Sequence, residues 1–207
     1  MKNIFDYLLW LGAGSATEPA GLLDQAKNAL LIDAREVASQ QLSNLKSQYP
    51  KTQIKIETTV ISSDGEDANF TEYNLPEYSA INAATGIKSL LPGLKSYSQE
   101  KRQTRPLAEI VSNLNLKNDN NLLVLNIHDL DLSLLETLTQ SSLPARFSKL
   151  YIQTSKDSLY SGSATQEQVI AWLQNQGYSF NEMASSDPDM PWVTATINPL
   201  WQELQAI

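Results

Sequence analysis

The chain has 207 residues, with 15 Lys and Arg against 23 Asp and Glu, a net charge of -8 and no cysteine. Without cysteine, disulfides, thiolate metal sites and cysteine nucleophiles are excluded, and a single histidine, His128, excludes multi-histidine metal clusters. The acidic balance leaves no general phosphate-binding footprint, so nucleic acid is not an expected partner.

A composition 42% hydrophobic and 18% charged supports a buried core, and the length fits a single domain over residues 1–207. No apolar run approaches the roughly 20 residues that a membrane-spanning helix needs. Residues 7–11 are apolar and precede small residues, as in a short signal peptide. Lys2 is the one basic residue before them and Asp6 abuts them, so a buried strand is the better reading. A cytoplasmic location is the matching expectation.

In chain order, the strand at 7–11 runs into Gly12-Ala13-Gly14, a tight turn. Thr17-Glu18-Pro19 has the cap, early acid and early proline of a helix start, with Leu22, Leu23, Ala26 and Ala29 on one face. Residues 29–32 form a second buried strand, closed by Asp33. A helix over 36–48 directs Val37, Leu42 and Leu45 inward, and Pro50 lies beyond its end. Ile54, Ile56 and Thr58 alternate with polar residues, and Val60-Ile61 continue that strand. This βαβαβ spacing predicts parallel strands with right-handed crossovers.

After a turn at 62–67, residues 68–73 are strand-like. The piece 74–94, with Pro76, Gly86, Pro92 and Gly93, reads as a long irregular segment, a length often tied to function. Residues 97–104 are extended, and 106–114 make a short helix with Leu107, Ile110, Val111 and Leu114 on one side. Lys101, Arg102 and Arg105 are the one dense basic cluster and should face water. A turn at 118–121 precedes a central strand at 122–127. Asp131 can cap a helix over 132–138, and a strand follows at 150–153. Thr165 and Gln168 fit a capping box for a helix ended by Gly177. Strands 178–183 and 192–197 flank a short turn holding Asp187 and Asp189, so they should pair antiparallel. That turn reads as solvated rather than as a cation site. Trp172, Tyr178, Phe180 and Trp192 should lie in the core. Leu200, Trp201 and Leu204 form an apolar stripe that either packs on the domain or meets a partner.

A strand, then Gly-x-Gly, then a helix start place backbone N–H groups at a ligand's edge. Asp33 closes the next strand about 20 residues later, where a carboxylate can accept both hydroxyls of a ribose. Gly12, Ala13, Gly14 and Asp33 are therefore candidate contacts to a nucleoside-type cofactor. They fit plain structure equally, as a turn that needs positive φ and a helix N-cap. His128 ends a buried strand beside Asp129 and Asp131, where α/β enzymes keep general bases, and the acids should favour its protonated form. A hydrogen-bonded loop residue is the alternative there.

An alternating sheet finished by an antiparallel pair resembles the class I S-adenosylmethionine-dependent methyltransferases, and among them the FkbM-type family, over about residues 7–197. Leu11-Gly12-Ala13-Gly14 is similar to the strand-one glycine motif. Leu31-Ile32-Asp33-Ala34 is similar to the strand whose acid holds the cofactor ribose. Residues 60–70, from Val60-Ile61-Ser62-Ser63 through Gly65 to Phe70, resemble the family's segment of alanine-valine-serine, then glycine, then a strand. Pro76-Glu77-Tyr78-Ser79 follows, as the family's proline-containing stretch does. Arg105-Pro106-Leu107-Ala108-Glu109-Ile110 sits where the family has a leucine-rich helix.

The resemblance implies an α/β, Rossmann-like fold: a seven-stranded, mostly parallel sheet with a final antiparallel strand. It implies S-adenosylmethionine held by Gly12, Ala13, Gly14 and Asp33, with Ser62 and Asp64 near its adenine. It implies methyl transfer to a hydroxyl of a sugar or other small-molecule substrate, His128 or Asp129 serving as base, and no metal. The departures are equally specific. Trp10 stands where the family has its strand-one acid. The motif lysine-isoleucine-aspartate-valine-glutamate-glycine falls on Asn126-Ile127-His128-Asp129-Leu130-Asp131, where only the isoleucine is kept. About six residues precede strand one, so segments before the sheet are expected to be absent. The alternative is thus a catalytically inactive methyltransferase fold kept as a scaffold, as an oligomer or with a protein partner. A binding module that keeps the nucleoside pocket without transfer lies between the two.

Overall fold

The computed structural model describes residues 4–15, 18–114, 116, 120–140, 146–182 and 187–199. Strand β1 (Phe5–Leu11) passes through two 3-10 segments, Ala13–Ser15 and Glu18–Gln25, into β2 (Ala26–Asp33). The α-helix expected here is therefore a 3-10 run, and Ala26 and Ala29 belong to the strand. Pro19 lacks a donor and Gly21 weakens helix propensity, so the short connection tightens instead of forming α-turns.

Helix α1 (Glu36–Gln48) leads to β3 (Gln53–Thr58). Ala38 and Leu42 are buried on it, whereas Val37, expected inward, is 63% exposed. Val37 lies five positions from Leu42, roughly 140° around the helix at 3.6 residues per turn. The chain does not extend β3 as predicted. It breaks at Thr59, whose N–H donates to the Asp33 carbonyl, and β4 (Val60–Ser62) leaves the sheet.

Next come β5 (Ala68–Tyr73), a 3-10 turn at Pro76–Tyr78, α2 (Ile87–Leu90), β6 (Ser96–Arg102), β7 (Thr104–Pro106) and α3 (Leu107–Asn113). β5 and β6 form an antiparallel arm, and β4 pairs parallel with β7. The basic cluster is not simply water-facing. Arg102 lies over the Phe70 ring, and Arg105 pairs with Glu57 and Glu109. The remainder is β8 (Asn121–Leu125), α4 (Leu132–Gln140), β9 (Phe147–Gln153), α5 (Gln166–Asn175), β10 (Tyr178–Glu182) and β11 (Trp192–Ile197).

Seven strands form one sheet in the order β10-β11-β9-β8-β1-β2-β3. All neighbours are parallel except β11, which runs antiparallel to β9 and β10. Period-two alternation buries both faces. Leu9, Leu11, Leu123 and Leu125 pack under α3, α4 and α5, while Leu8, Trp10, Leu122 and Val124 meet Leu42 and Leu23 on the other side. The Thr165–Gln168 capping box forms as expected.

Residues 74–94, expected to be irregular, include the 3-10 turn and the short α2, and the segment is firmly seated. Tyr73, Ala80, Ala84 and Ile87 pack with Leu159, Tyr160 and Met190 in a separate small core, and the Tyr160 hydroxyl donates to the Tyr78 carbonyl at 2.7 Å. This segment covers the carboxyl ends of the strands. Leu200, Trp201, Leu204, Thr17, Met183 and residues 117–119 lie outside the described residues. Among the described residues no helix is long and apolar enough to cross a membrane.

Asp131 caps α4, its Oδ1 accepting from the Leu134 N–H at 2.7 Å. Asp131→Ala is expected to lower stability by about 1 kcal/mol, as N-cap removal does. Urea denaturation measures it, and an unchanged midpoint would refute the cap.

Candidate functional site

Register brings three strand ends level. Leu11 pairs with Ile32 on one side and with Leu125 on the other, so Gly12, Asp33 and Asn126 come side by side. β1 is where connections leave the sheet in opposite directions, the usual place for a ligand in such sheets. A cavity of about 80 Å³ opens there, lined by Gly12, Asp33, Arg35, Phe70, His128 and Asp129 among others. Clefts that hold drug-sized ligands run to about 300–1,000 Å³.

The glycine turn is closed rather than cradling. Gly12 has φ +74°, and a Cβ there would lie 1.9 Å from the Asn126 carbonyl oxygen. Its N–H donates to the Ile32 carbonyl, and the Asn126 N–H donates to the Leu11 carbonyl. Ala13 is buried with Trp10 and Phe5, away from the cavity. Gly14 directs its N–H at Asp33 Oδ2, 2.8 Å away.

Asp33 has little left to offer a ligand. Oδ1 accepts from the Arg35 backbone N–H at 2.9 Å and from Arg35 Nε at 2.8 Å. Oδ2 accepts from Gly14 and from Arg35 Nη2 at 3.1 Å. A carboxylate has about four acceptor sites, and all are in use. The Asp33 and Arg35 side chains are 7% and 10% exposed. Asp33 does not cap α1, because Arg35 is the N-cap residue and makes no side-chain cap bond. In this arrangement the acceptor sites of Asp33 that a ribose diol would use are taken by Arg35 and Gly14.

Ser62 and Asp64 lie elsewhere. They line a neighbouring cavity of about 220 Å³ with Asn82, Asp129 and Asp131. Ser62 Oγ bonds Thr104 Oγ1 at 2.6 Å and accepts from the Gly65 N–H, while Asp64 accepts from the Glu66 N–H. That N–H is the main cause holding the Asp64 carboxyl below its ordinary value. These contacts knit a turn. Among the described residues no group of three or more His, Asp or Glu is placed to hold a metal ion.

Asp129 stands between the two cavities, and its Oδ2 accepts from the N–H groups of Ile81 and Asn82 at 3.0 Å each. It thereby anchors the covering segment. Burial pushes its carboxyl up to about 6 against those donors, with the Asp131 charge adding to the rise. His128 packs against Tyr78 in a tilted arrangement, ring centroids 5.0 Å apart. Its protonated form is not favoured, contrary to the expectation from its acidic neighbours. Burial first, and the Arg35 charge second, push it down to about 4, outweighing Asp187. Sequence reasoning missed Arg35 altogether; the available signal was an arginine two residues after a strand-ending aspartate.

These shifts oppose one another in stability. From pH 4 to 6.5 the unfolded chain binds the extra proton at His128, so that contribution rises with pH. From pH 3.8 to about 6 the folded chain holds the extra proton at Asp129. Its contribution is full below 3.8 and lost as pH rises through about 6. Relative to wild type, His128→Asn should therefore lose stability as pH rises from 4 to 6, and Asp129→Asn should gain it. Each change should be of order 2–3 kcal/mol, at about 1.4 kcal/mol per pH unit. Urea denaturation across this range reads both slopes, and equal signs would refute the assignment.

No protein-family profile and no curated protein match the sequence. Among solved structures, methyltransferase FkbM from Methylobacillus flagellatus KT is similar with a TM-score of 0.56 at 13% identity, over 95% of this chain and 44% of that one. TrmK from M. capricolum, solved with S-adenosyl-homocysteine, gives 0.47 at 12% identity, over 96% of this chain and 65% of that one. N-methyltransferase NodS from Bradyrhizobium japonicum WM9 gives 0.48 at 12% identity, over 95% and 88%. The chain thus spans less than half the length of the FkbM structure. With its strand order and its reversed last strand, it has the fold of the S-adenosylmethionine-dependent methyltransferases.

Proposed function

We propose that this chain is a methyltransferase fold without methyl-transfer activity, retained as a scaffold or assembly subunit. The observation that carries this reading is the Asp33 carboxylate, whose acceptor sites are filled by Arg35 and Gly14. A ribose diol would have to displace a buried ion pair. Two further features agree. Trp10, fully buried, stands at the position of the family's strand-one acid, and the Asn126 carbonyl fills the space beside Gly12.

A second reading, an O-methyltransferase acting on a sugar or another small metabolite, draws support from His128. It borders the cavity beside Gly12 and Asp33 and also a hollow of about 10 Å³ toward the end of β9. Its imidazole is neutral and could accept a proton from a hydroxyl, though its lowered proton affinity makes it a weak base.

Calorimetric titration with S-adenosylmethionine and S-adenosylhomocysteine separates the two. The non-catalytic reading expects no saturable heat up to about 1 mM, a binding free energy weaker than about -4 kcal/mol. Saturation at micromolar concentration would overturn it in favour of the enzyme.

A further inference from the structure

We infer that the Arg35 side chain is an internal strap on the nucleoside site, its two guanidinium bonds occupying the acceptor positions on Asp33 that a ribose diol would take. The inference rests on the non-catalytic reading and gives it a cause. Each carboxylate oxygen of Asp33 accepts one backbone N–H and one guanidinium N–H. Oδ1 takes the Arg35 N–H and Nε; Oδ2 takes the Gly14 N–H and Nη2. Removing the guanidinium leaves the two backbone bonds, which keep the carboxylate oriented. It frees one acceptor site on each oxygen. Two donors held side by side are what a vicinal diol presents, and the guanidinium fork reproduces that spacing.

The strap lies where it blocks entry. Arg35 lines the cavity beside Gly12 and Asp33, and its Nη2 would lie 2.5 Å from a Cβ built on Gly14. The β5–β6 arm holds the strap's base. Arg102 Nη1 donates to the Ala34 carbonyl at 2.8 Å while its guanidinium sits 4.6 Å over the Phe70 ring. Glu72 lies 3.6 Å from the same guanidinium and fixes it from β5. Phe70 and Arg35 both face the cavity, so the arm and the strap form adjoining walls.

The test uses the full chain and Arg35→Met, which keeps the apolar stem and removes the fork. Calorimetry with adenosine is compared with 2′,3′-dideoxyadenosine, which lacks the diol. Wild type should show no saturation with either up to about 1 mM. Arg35→Met should bind adenosine with a dissociation constant at least tenfold below that limit, and should not gain for the dideoxy compound. A cooperatively melting Arg35→Met that binds adenosine no better than wild type overturns the strap, as does equal gain for both compounds. If Arg35→Met does not fold, Arg102→Ala decides. Hydrogen exchange at the Gly14 and Arg35 amides should then speed by at least tenfold while β8 stays protected, and unchanged exchange there overturns the proposal. Wild-type binding of S-adenosylmethionine would end the non-catalytic reading alone, provided Arg35→Met still tightens adenosine tenfold.

Discussion

The buried carboxylate of Asp33 organises the carboxyl edge of this sheet. It ties the glycine turn after β1 to the end of β2 through Gly14, and it fixes the chain's exit into α1 through both the backbone and the side chain of Arg35. Two charges at 7% and 10% side-chain exposure have lost most of their hydration. Such a pair persists only when its geometry is good and its remaining hydrogen-bonding capacity is met. Here the backbone supplies the rest. Breaking one side of a buried pair costs about 3–5 kcal/mol, because the survivor stays charged and unpaired. Any ligand that competes for Asp33 must overcome this before it contributes binding energy of its own.

The sheet was legible in the sequence because burial on both faces writes long apolar runs, and β1, β2 and β8 carry them. The reversed last strand followed from a short connection, and the helix at 166 from its capping box. What failed had local causes. The first crossover has a helix-start signature, but Pro19 and Gly21 sit in a connection that tightens into 3-10 turns. Val60-Ile61 look like more of β3, yet Thr59 donates to the Asp33 carbonyl and turns the chain toward β7. The site was legible only in its members. Gly12, Asp33, His128 and Asp129 do line one cavity, while Ser62 and Asp64 fall in the next. The charge on His128 was misjudged from its sequence neighbours, because burial and Arg35, 93 positions away, decide it.

Trp10 serves the packing of the sheet. Its side chain is fully buried with Leu8, Ala13, Leu31 and Leu42, and its indole Nε1 has no hydrogen-bond partner among the described residues. Burying a large aromatic stabilises the domain by about 1.5–3 kcal/mol, which offsets an unpaired donor costing about 1–3 kcal/mol. An acid at this position would face an apolar cluster. The apolar packing on the two faces of the sheet comes from other residues, while Asp33 and Asp129 tie its carboxyl edge through hydrogen bonds.

Asp33 and Asp129, both on the cavity wall, are held in place by different routes. Asp33 is held by its own neighbour two residues on. Asp129 is held by a segment 47 and 48 residues away, through the N–H groups of Asn82 and Ile81. A general base needs a lone pair aimed at its substrate and a proton affinity near neutrality. Asp129 meets the second requirement at about 6, but one of its oxygens already carries the cover of the cavity. Removing that carboxylate would loosen residues 81 and 82 as well as any proton transfer. At this edge of the sheet the groups that could serve chemistry are also the ones that hold the walls in place.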